Sequence, residues 1–121
     1  MLSSVDTLIG TTVGQIATEL YPELEPIEIE FEYTDAKEGV QLLVGYEEDE
    51  GKYKIAFNRS NDGMVIASFF AAGFAMLIFH LHTGQYTHPV LRRAEAETSS
   101  YKTIFENIMS ECRKRKEKEV K

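Results

Sequence analysis

The N-terminal segment has the apolar periodicity of an α-helix. Apolar side chains recur at intervals of three and four residues, which places them on one helical face: Val5, Leu8, Ile9, Val13, Ile16, Ala17 and Leu20. Ser3, followed three residues later by Asp6, indicates a capped start. Pro22 ends the segment, because the residue before a proline disfavours helical dihedral angles. The pattern predicts an amphipathic helix over residues 4–20.

The next segment, PIEIEFEY, alternates strictly between apolar and acidic residues, which indicates a half-buried strand. One face carries Ile27, Ile29, Phe31 and Tyr33, and the other carries Glu28, Glu30 and Glu32.

Two further strands are expected near 39–46 and 52–58. They flank the acidic turn EEDEG and therefore form a β-hairpin. Their apolar faces carry Val40, Leu42, Val44 and Tyr46 on one strand and Tyr53, Ile55 and Phe57 on the other, with Lys52 and Lys54 outward. We predict a three-stranded antiparallel meander, whose apolar face needs a cover.

Residues 64–81, MVIASFFAAGFAMLIFHL, are uncharged and apolar all round. Ser60, Asn61 and Asp62 supply helix-start chemistry and Gly84 a stop. A helix of this length has two interpretations: a core helix between the sheet and other helices, or a single membrane span. The core interpretation is favoured, because the sheet and two amphipathic helices each need an apolar surface to pack on.

The C-terminal region begins with an irregular stretch, 82–98, punctuated by Gly84 and Pro89. A helical stripe over 99–112 follows: Tyr101, Ile104, Phe105, Ile108, Met109 and Cys112. The predicted organisation is one α+β domain over 1–112, with a charged tail over 113–121.

Net charge separates the two halves of this chain of 121 residues. Residues 1–62 hold 14 acidic against 4 basic residues, whereas residues 63–121 hold 6 against 9. The acidic half disfavours direct nucleic-acid binding and favours a basic protein partner. A single cysteine fits a reducing compartment, and the N-terminus has no basic segment of a secretory signal, so we expect a cytoplasmic protein.

Candidate catalytic and metal-binding residues are few: His80, His82, His88 and Cys112. His80 and His82, two apart on a helix, point in different directions and do not share a metal ion. Cys112 lies on the buried stripe of its helix with no base identifiable beside it, which indicates a core thiol rather than a nucleophile. We expect no enzyme activity, no metal and no cofactor.

The candidate binding site is acidic. Glu28, Glu30 and Glu32 repeat at about 6.8 Å along one strand face, close to the phosphate spacing of a DNA strand. With the turn residues Glu47, Glu48, Asp49 and Glu50 they would present a phosphate-like surface to a basic protein. The alternative is an ordinary solvated sheet face, partly neutralised by Lys52 and Lys54.

One resemblance adds to this interpretation. KIAFN (54–58) followed by SFFAAGFAMLIFH (68–80) resembles the minimal zincin domain of the ImmA/IrrE type, in its apolar positions and its closing His80. Where that family has its two zinc-binding histidines and its glutamate, this chain has Ala72, Met76 and Gly73. The resemblance implies a zincin-like scaffold without proteolysis, because metal and general base are both lost.

The leading functional hypothesis is a non-enzymatic protein-interaction module, such as a small inhibitor, immunity protein or regulator of phage or bacterial type. It would bind a basic partner through the acidic half. The alternatives are a single-pass membrane protein with its span at 64–81, and a zincin-like pseudoenzyme. Homodimerisation is a further alternative, because the apolar helix would leave surface to cover in a monomer.

Overall fold

The structure, a computed structural model, describes residues 2–34, 40–47, 49–84, 90–92 and 101–119. Within these residues, three α-helices and four β-strands form an α+β fold, which is the fold class that the sequence predicts. The helices are α1 (Ser4–Leu20), α2 (Gly63–Thr83) and α3 (Lys102–Glu119), and a 3-10 turn spans Pro22–Leu24. The strands are β1 (Ile29–Tyr33), β2 (Val40–Glu47), β3 (Lys52–Phe57) and β4 (Val90–Arg92).

Helix α1 starts and stops where its sequence indicates. The hydroxyl oxygen of Ser3 accepts a hydrogen bond from the backbone N–H of Asp6 at 3.1 Å, which satisfies one of the free donors of the first turn. At the other end the Tyr21 N–H donates to the carbonyl of Ala17, and Pro22 follows. The predicted helix over residues 4–20 is confirmed.

The sheet is mixed, so the predicted antiparallel meander is wrong. The strand order is β1-β3-β2-β4: β2 and β3 form the predicted antiparallel hairpin, but β1 lies parallel to β3 on its other side. The burial of β3 gives the reason. Ile55, Ala56 and Phe57 are all buried, on both faces of the sheet, and a strand buried on both faces belongs in the centre. Alternating strands such as β1 tolerate an edge, where their charged side chains meet water.

The fourth strand was not predicted. β4 pairs antiparallel with β2 and falls inside the stretch 82–98 that the sequence marks as irregular. The rest of that stretch beyond Gly84, including His88, lies outside the described residues.

The apolar face of the sheet is built from cross-strand rows. The register sets Phe31 beside Ile55 and Ile55 opposite Val44, and it sets Tyr33 beside Phe57 and Phe57 opposite Leu42. Ile55, Phe57 and Leu42 are completely buried. The inward faces assigned from the alternation are therefore confirmed for these rows.

Helix α2 covers this face. Its N-cap Asp62 accepts a hydrogen bond from the Met64 N–H at 2.9 Å, and Gly84 ends it in the left-handed conformation, with φ of 70°. α2 is the one helix in the described ranges whose length and composition suit a membrane span, with a mean hydropathy of 2.1. However, 61% of that window is buried inside the fold, so the predicted core position is confirmed.

Helices α1 and α3 pack on α2. The buried residues of all three helices and of the sheet belong to one hydrophobic core, which contains Ile16 of α1, Phe70 of α2 and Ile108 of α3. Helix α3 continues through Glu119, past the predicted end at residue 112, so most of the expected tail is helical. In this extension Arg115 pairs with Glu19 of α1 and, at 3.2 Å, with Glu111.

Candidate functional site

The outward face of β1 and β3 carries the predicted acidic residues. Ile29, Phe31 and Tyr33 of β1 contact the core, which turns the intervening glutamates outward. Glu28 and Glu30 are exposed and Glu32 is partly buried. The prediction from the alternation, that these three carboxylates share one sheet face, is therefore consistent with the observed pleat.

Two lysines of β3 hold part of this acidic face. Lys52 Nζ lies 2.8 Å from Glu50 and 3.3 Å from Glu30. Lys54 Nζ lies 3.1 Å from Glu47 and 3.7 Å from the same oxygen of Glu30. The register makes this network, because it places Glu30 beside Lys54 and Glu47 opposite Lys52. The neutralisation considered from the sequence is thus present, but it is partial.

The ion pairs of Lys52 and Lys54 affect the pKa values of these groups as well as their positions. Hydrogen bonding to Glu50, and secondly to Glu30, raises the pKa of Lys52, and hydrogen bonding to Glu47 raises the pKa of Lys54. Conversely, the bond from Lys52 lowers the pKa of Glu50. These groups therefore stay charged throughout the physiological range. Exposed pairs of this kind contribute little to stability, so their main effect is to restrict where the carboxylates point.

The other described carboxylates of this face form no ion pair with a described residue. Among the described residues, no basic side chain lies within ion-pair distance of Glu28, Glu32 or Asp49. Lys54 does feel the field of Glu32, which is one of the causes of its raised pKa. Glu48, the other predicted site residue, lies outside the described part of the chain. The described face thus sets six carboxylates against two ammonium groups.

A cavity of about 440 Å³ opens at the turn end of the hairpin, on the side of the sheet that faces α2, and Glu28 is the residue that it shares with the acidic face. Glu28 lines it together with Tyr46, Tyr53 and His80. The alternation of the two strands places both tyrosines only on apolar faces and does not indicate a cavity. A signal was available: Glu47 and Lys52 pair across the turn, and extending that register by one residue sets Tyr46 opposite Tyr53.

The histidines are separated, as their spacing predicts. His80 packs edge-on against Tyr53, with ring centroids 5.9 Å apart. His82 instead pairs with Glu23, and the hydrogen bond lowers the pKa of that glutamate. Within the described ranges no group of three or more histidine, cysteine or acidic side chains is arranged to hold a metal ion.

The helical side of the molecule carries a second surface, an apolar groove of about 310 Å³ between α1, the start of α2 and the second half of α3. Leu8, 68% exposed, and Met64, 44% exposed, stand at its edge. Arg113 and Lys116 line it on the α3 side. The periodicity places Leu8 on the apolar face of α1, but in the structure its side chain is mostly exposed.

Cys112 lines the same groove, and burial raises the pKa of its thiol. A raised pKa leaves less thiolate at neutral pH, so N-ethylmaleimide should alkylate the folded protein several-fold more slowly than the urea-unfolded protein. The folded rate should also begin to rise at higher pH than the unfolded rate. Mass spectrometry of timed samples measures both, and Cys112 is the sole cysteine. Equal rates in the two states would contradict a protected thiol.

The positions compared with the zincin ligands lie in the core. Ala72, Gly73 and Met76 are all buried in α2. At Gly73 a Cβ atom would stand 2.8 Å from Cδ1 of Ile55, so the helix meets β3 where the family carries its glutamate. The zincin resemblance stays a prediction from the sequence.

No protein-family model, curated protein or solved structure matches the chain.

Proposed function

We propose that the protein is a non-enzymatic interaction module, of the inhibitor, immunity or regulator class, which binds a basic protein. The binding surface is the outward face of β1 and β3 with the hairpin turn. The observation that carries the proposal is the charge of this face: Glu28, Glu32 and Asp49 have no basic partner among the described residues, beside carboxylates already oriented by lysine.

The lysine network makes this surface better suited to binding than a free acidic cluster. Lys52 and Lys54 restrict the side chains of Glu30, Glu47 and Glu50. These glutamates therefore lose less side-chain entropy when a partner binds them. The excess negative charge attracts a basic protein over a Debye length and speeds its association. Binding should therefore weaken steeply with salt.

The candidates that the structure describes, Cys112, His80 and His82, have structural positions, which supports a module without catalysis. His80 packs on Tyr53, and His82 is paired with Glu23. Cys112 is partly buried in a groove, and burial disfavours its thiolate.

The test is recovery of a partner from cells of the native host. Tagged wild-type protein should recover a basic protein, identified by mass spectrometry, at low salt and less of it at high salt. A triple charge reversal, Glu28→Lys, Glu30→Lys and Glu32→Lys, should lower recovery at least about tenfold, since it reverses the sign of the contact surface. Recovery of no partner, or unchanged recovery by this variant, would contradict the proposal.

A matched control separates local charge from net charge. Glu19→Lys, Glu106→Lys and Glu117→Lys change the net charge by the same amount at exposed positions on α1 and α3, away from the face. This control should keep most of the recovery. Both variants are compared by circular dichroism first, and the milder glutamine variants at Glu28, Glu30 and Glu32 replace the reversal if it unfolds.

A further inference from the structure

The cavity at the turn end of the hairpin combines aromatic rings with an acid. Seven of the described residues, from three parts of the chain, line its volume of about 440 Å³. Pro26, Ile27 and Glu28 come from the approach to β1, Tyr46, Gly51 and Tyr53 from the hairpin, and His80 from α2. A site that draws on three separate segments is held by the fold rather than by one mobile loop.

The hairpin register creates the aromatic wall. Tyr46 and Tyr53 are directly opposite each other, and their ring centroids lie 4.8 Å apart with the planes inclined by 53°. Tyr53 is only 7% exposed and packs against His80, so it is a fixed wall. Tyr46 is 45% exposed, so its ring is accessible to a group that binds in the cavity. The negative faces of such rings attract cations.

The acid of the cavity is available. In the described structure no basic side chain lies within ion-pair distance of Glu28, and the lysines of β3 are bound to Glu30, Glu47 and Glu50 instead. A carboxylate beside two tyrosine rings is the combination that binds an organic cation: the acid supplies charge, and the rings replace the water that a bulky cation holds weakly.

We propose that this cavity binds an alkylammonium or guanidinium group, which a lysine or arginine side chain of the basic partner inserts. The inference rests on the proposed function and deepens it, because it gives the acidic face one anchoring contact. Charge steers the partner to the face, and the cavity then fixes its register through one buried cationic side chain. Glu28, the one carboxylate among the described lining residues, disfavours an anion, and a neutral apolar group would not use its charge.

The test uses small probes in place of the partner. Choline and its neutral carbon isostere dimethylbutanol have the same shape and differ in charge. Amide NMR spectra of isotope-labelled protein should show saturable shifts at Tyr46, Gly51 and Tyr53 with choline, and weaker ones with dimethylbutanol. The acetylated amides of lysine and arginine should shift the same signals, as the side-chain source requires. The proposal is overturned if choline shifts none of these signals, if the neutral isostere binds equally well, or if choline alone binds and both amino-acid amides do not.

Two variants separate the contributions of acid and ring. Glu28→Gln should weaken choline binding about two- to fivefold by removing the charge, and Tyr46→Leu by a similar factor by removing the π face. Tyr46 is exposed enough for this change to leave the fold intact. Glu106→Gln, on α3 and outside the cavity, is the matched control and should bind as wild type. Wild-type affinity in both cavity variants would also overturn the proposal.

This result and that of the partner experiment are independent. If choline binds in the cavity but charge reversal of the face leaves recovery unchanged, the cation site stands and the proposed function fails. If the face recovers a basic partner but choline does not bind, the function stands without the anchor.

Discussion

Replacing Phe70 by alanine is expected to lower the free energy of unfolding by about 3–5 kcal/mol, the range for a fully buried phenylalanine. Phe70 is 1% exposed and lies where the sheet, α1 and α2 meet. Its ring stands edge-on to Phe31 at 4.8 Å and to Phe57 at 5.1 Å, and Gly10 of α1 approaches it from the other side. The cavity would be bounded by three elements that cannot close together, so relaxation would recover little of the loss.

Urea denaturation followed by circular dichroism measures this effect. Leu8→Ala removes a large apolar side chain that is 68% exposed, so it is the control and should change stability by less than about 0.5 kcal/mol. Phe70→Leu should fall between the two. A loss below about 1 kcal/mol for Phe70→Ala would contradict the central position of this ring in the core.

The elements of the fold were largely predictable, because their signals are local. Ser3 and Asp62 are helix caps in the sequence and in the structure, and Gly84 ends α2 in the left-handed conformation that glycine favours. The burial of α2 also followed from simple accounting: a sheet with one apolar face and two amphipathic helices need a common apolar surface. The first two inferences depend on residues close in sequence. The third depends only on how many apolar faces need a surface to pack on.

The strand order was not predictable from alternation alone. Alternation assigns faces to a strand but says nothing about which strand lies beside it. The sequence of β3 did carry a hint, since Ile55, Ala56 and Phe57 are apolar without interruption and a central strand buries both faces. The default that consecutive strands are neighbours fails here for β1 and β2.

The candidate site likewise has features that the sequence predicts and features that it does not. The stripe of Glu28, Glu30 and Glu32 follows from the period of one strand and was predicted. The sharing of Glu30 between Lys52 and Lys54 depends on β1 lying beside β3, which the predicted meander did not contain. The cavity between Glu28 and Tyr46 needs that same placement together with the position of α2. These features depend on contacts between strands, which the sequence pattern does not specify.

The packing of α1 against α2 leads to the second large effect, at Gly10. A Cβ atom at this position would lie 2.6 Å from two carbon atoms of the Phe70 ring, closer than such atoms approach in proteins. Alanine favours a helix over glycine by about 1 kcal/mol, whereas overpacking a core costs about 1–3 kcal/mol. Because Phe31 and Phe57 confine the Phe70 ring, the clash should win, and Gly10→Ala should be destabilising by about 1–2 kcal/mol.

Gly14, one turn further along α1, is the matched control. Its Cβ would lie 3.3 Å from the tip of Phe74, a contact that a small displacement relieves, so Gly14→Ala should be neutral or slightly stabilising through helix propensity. Urea denaturation of both variants isolates the steric term, since the propensity gain is shared. The double variant Gly10→Ala with Phe70→Leu should lose less stability than the sum of the two single losses, because the smaller side chain makes room for the methyl group. Equal stability of the two alanine variants would contradict the close approach of α1 to Phe70, and with it the helix packing that closes the core.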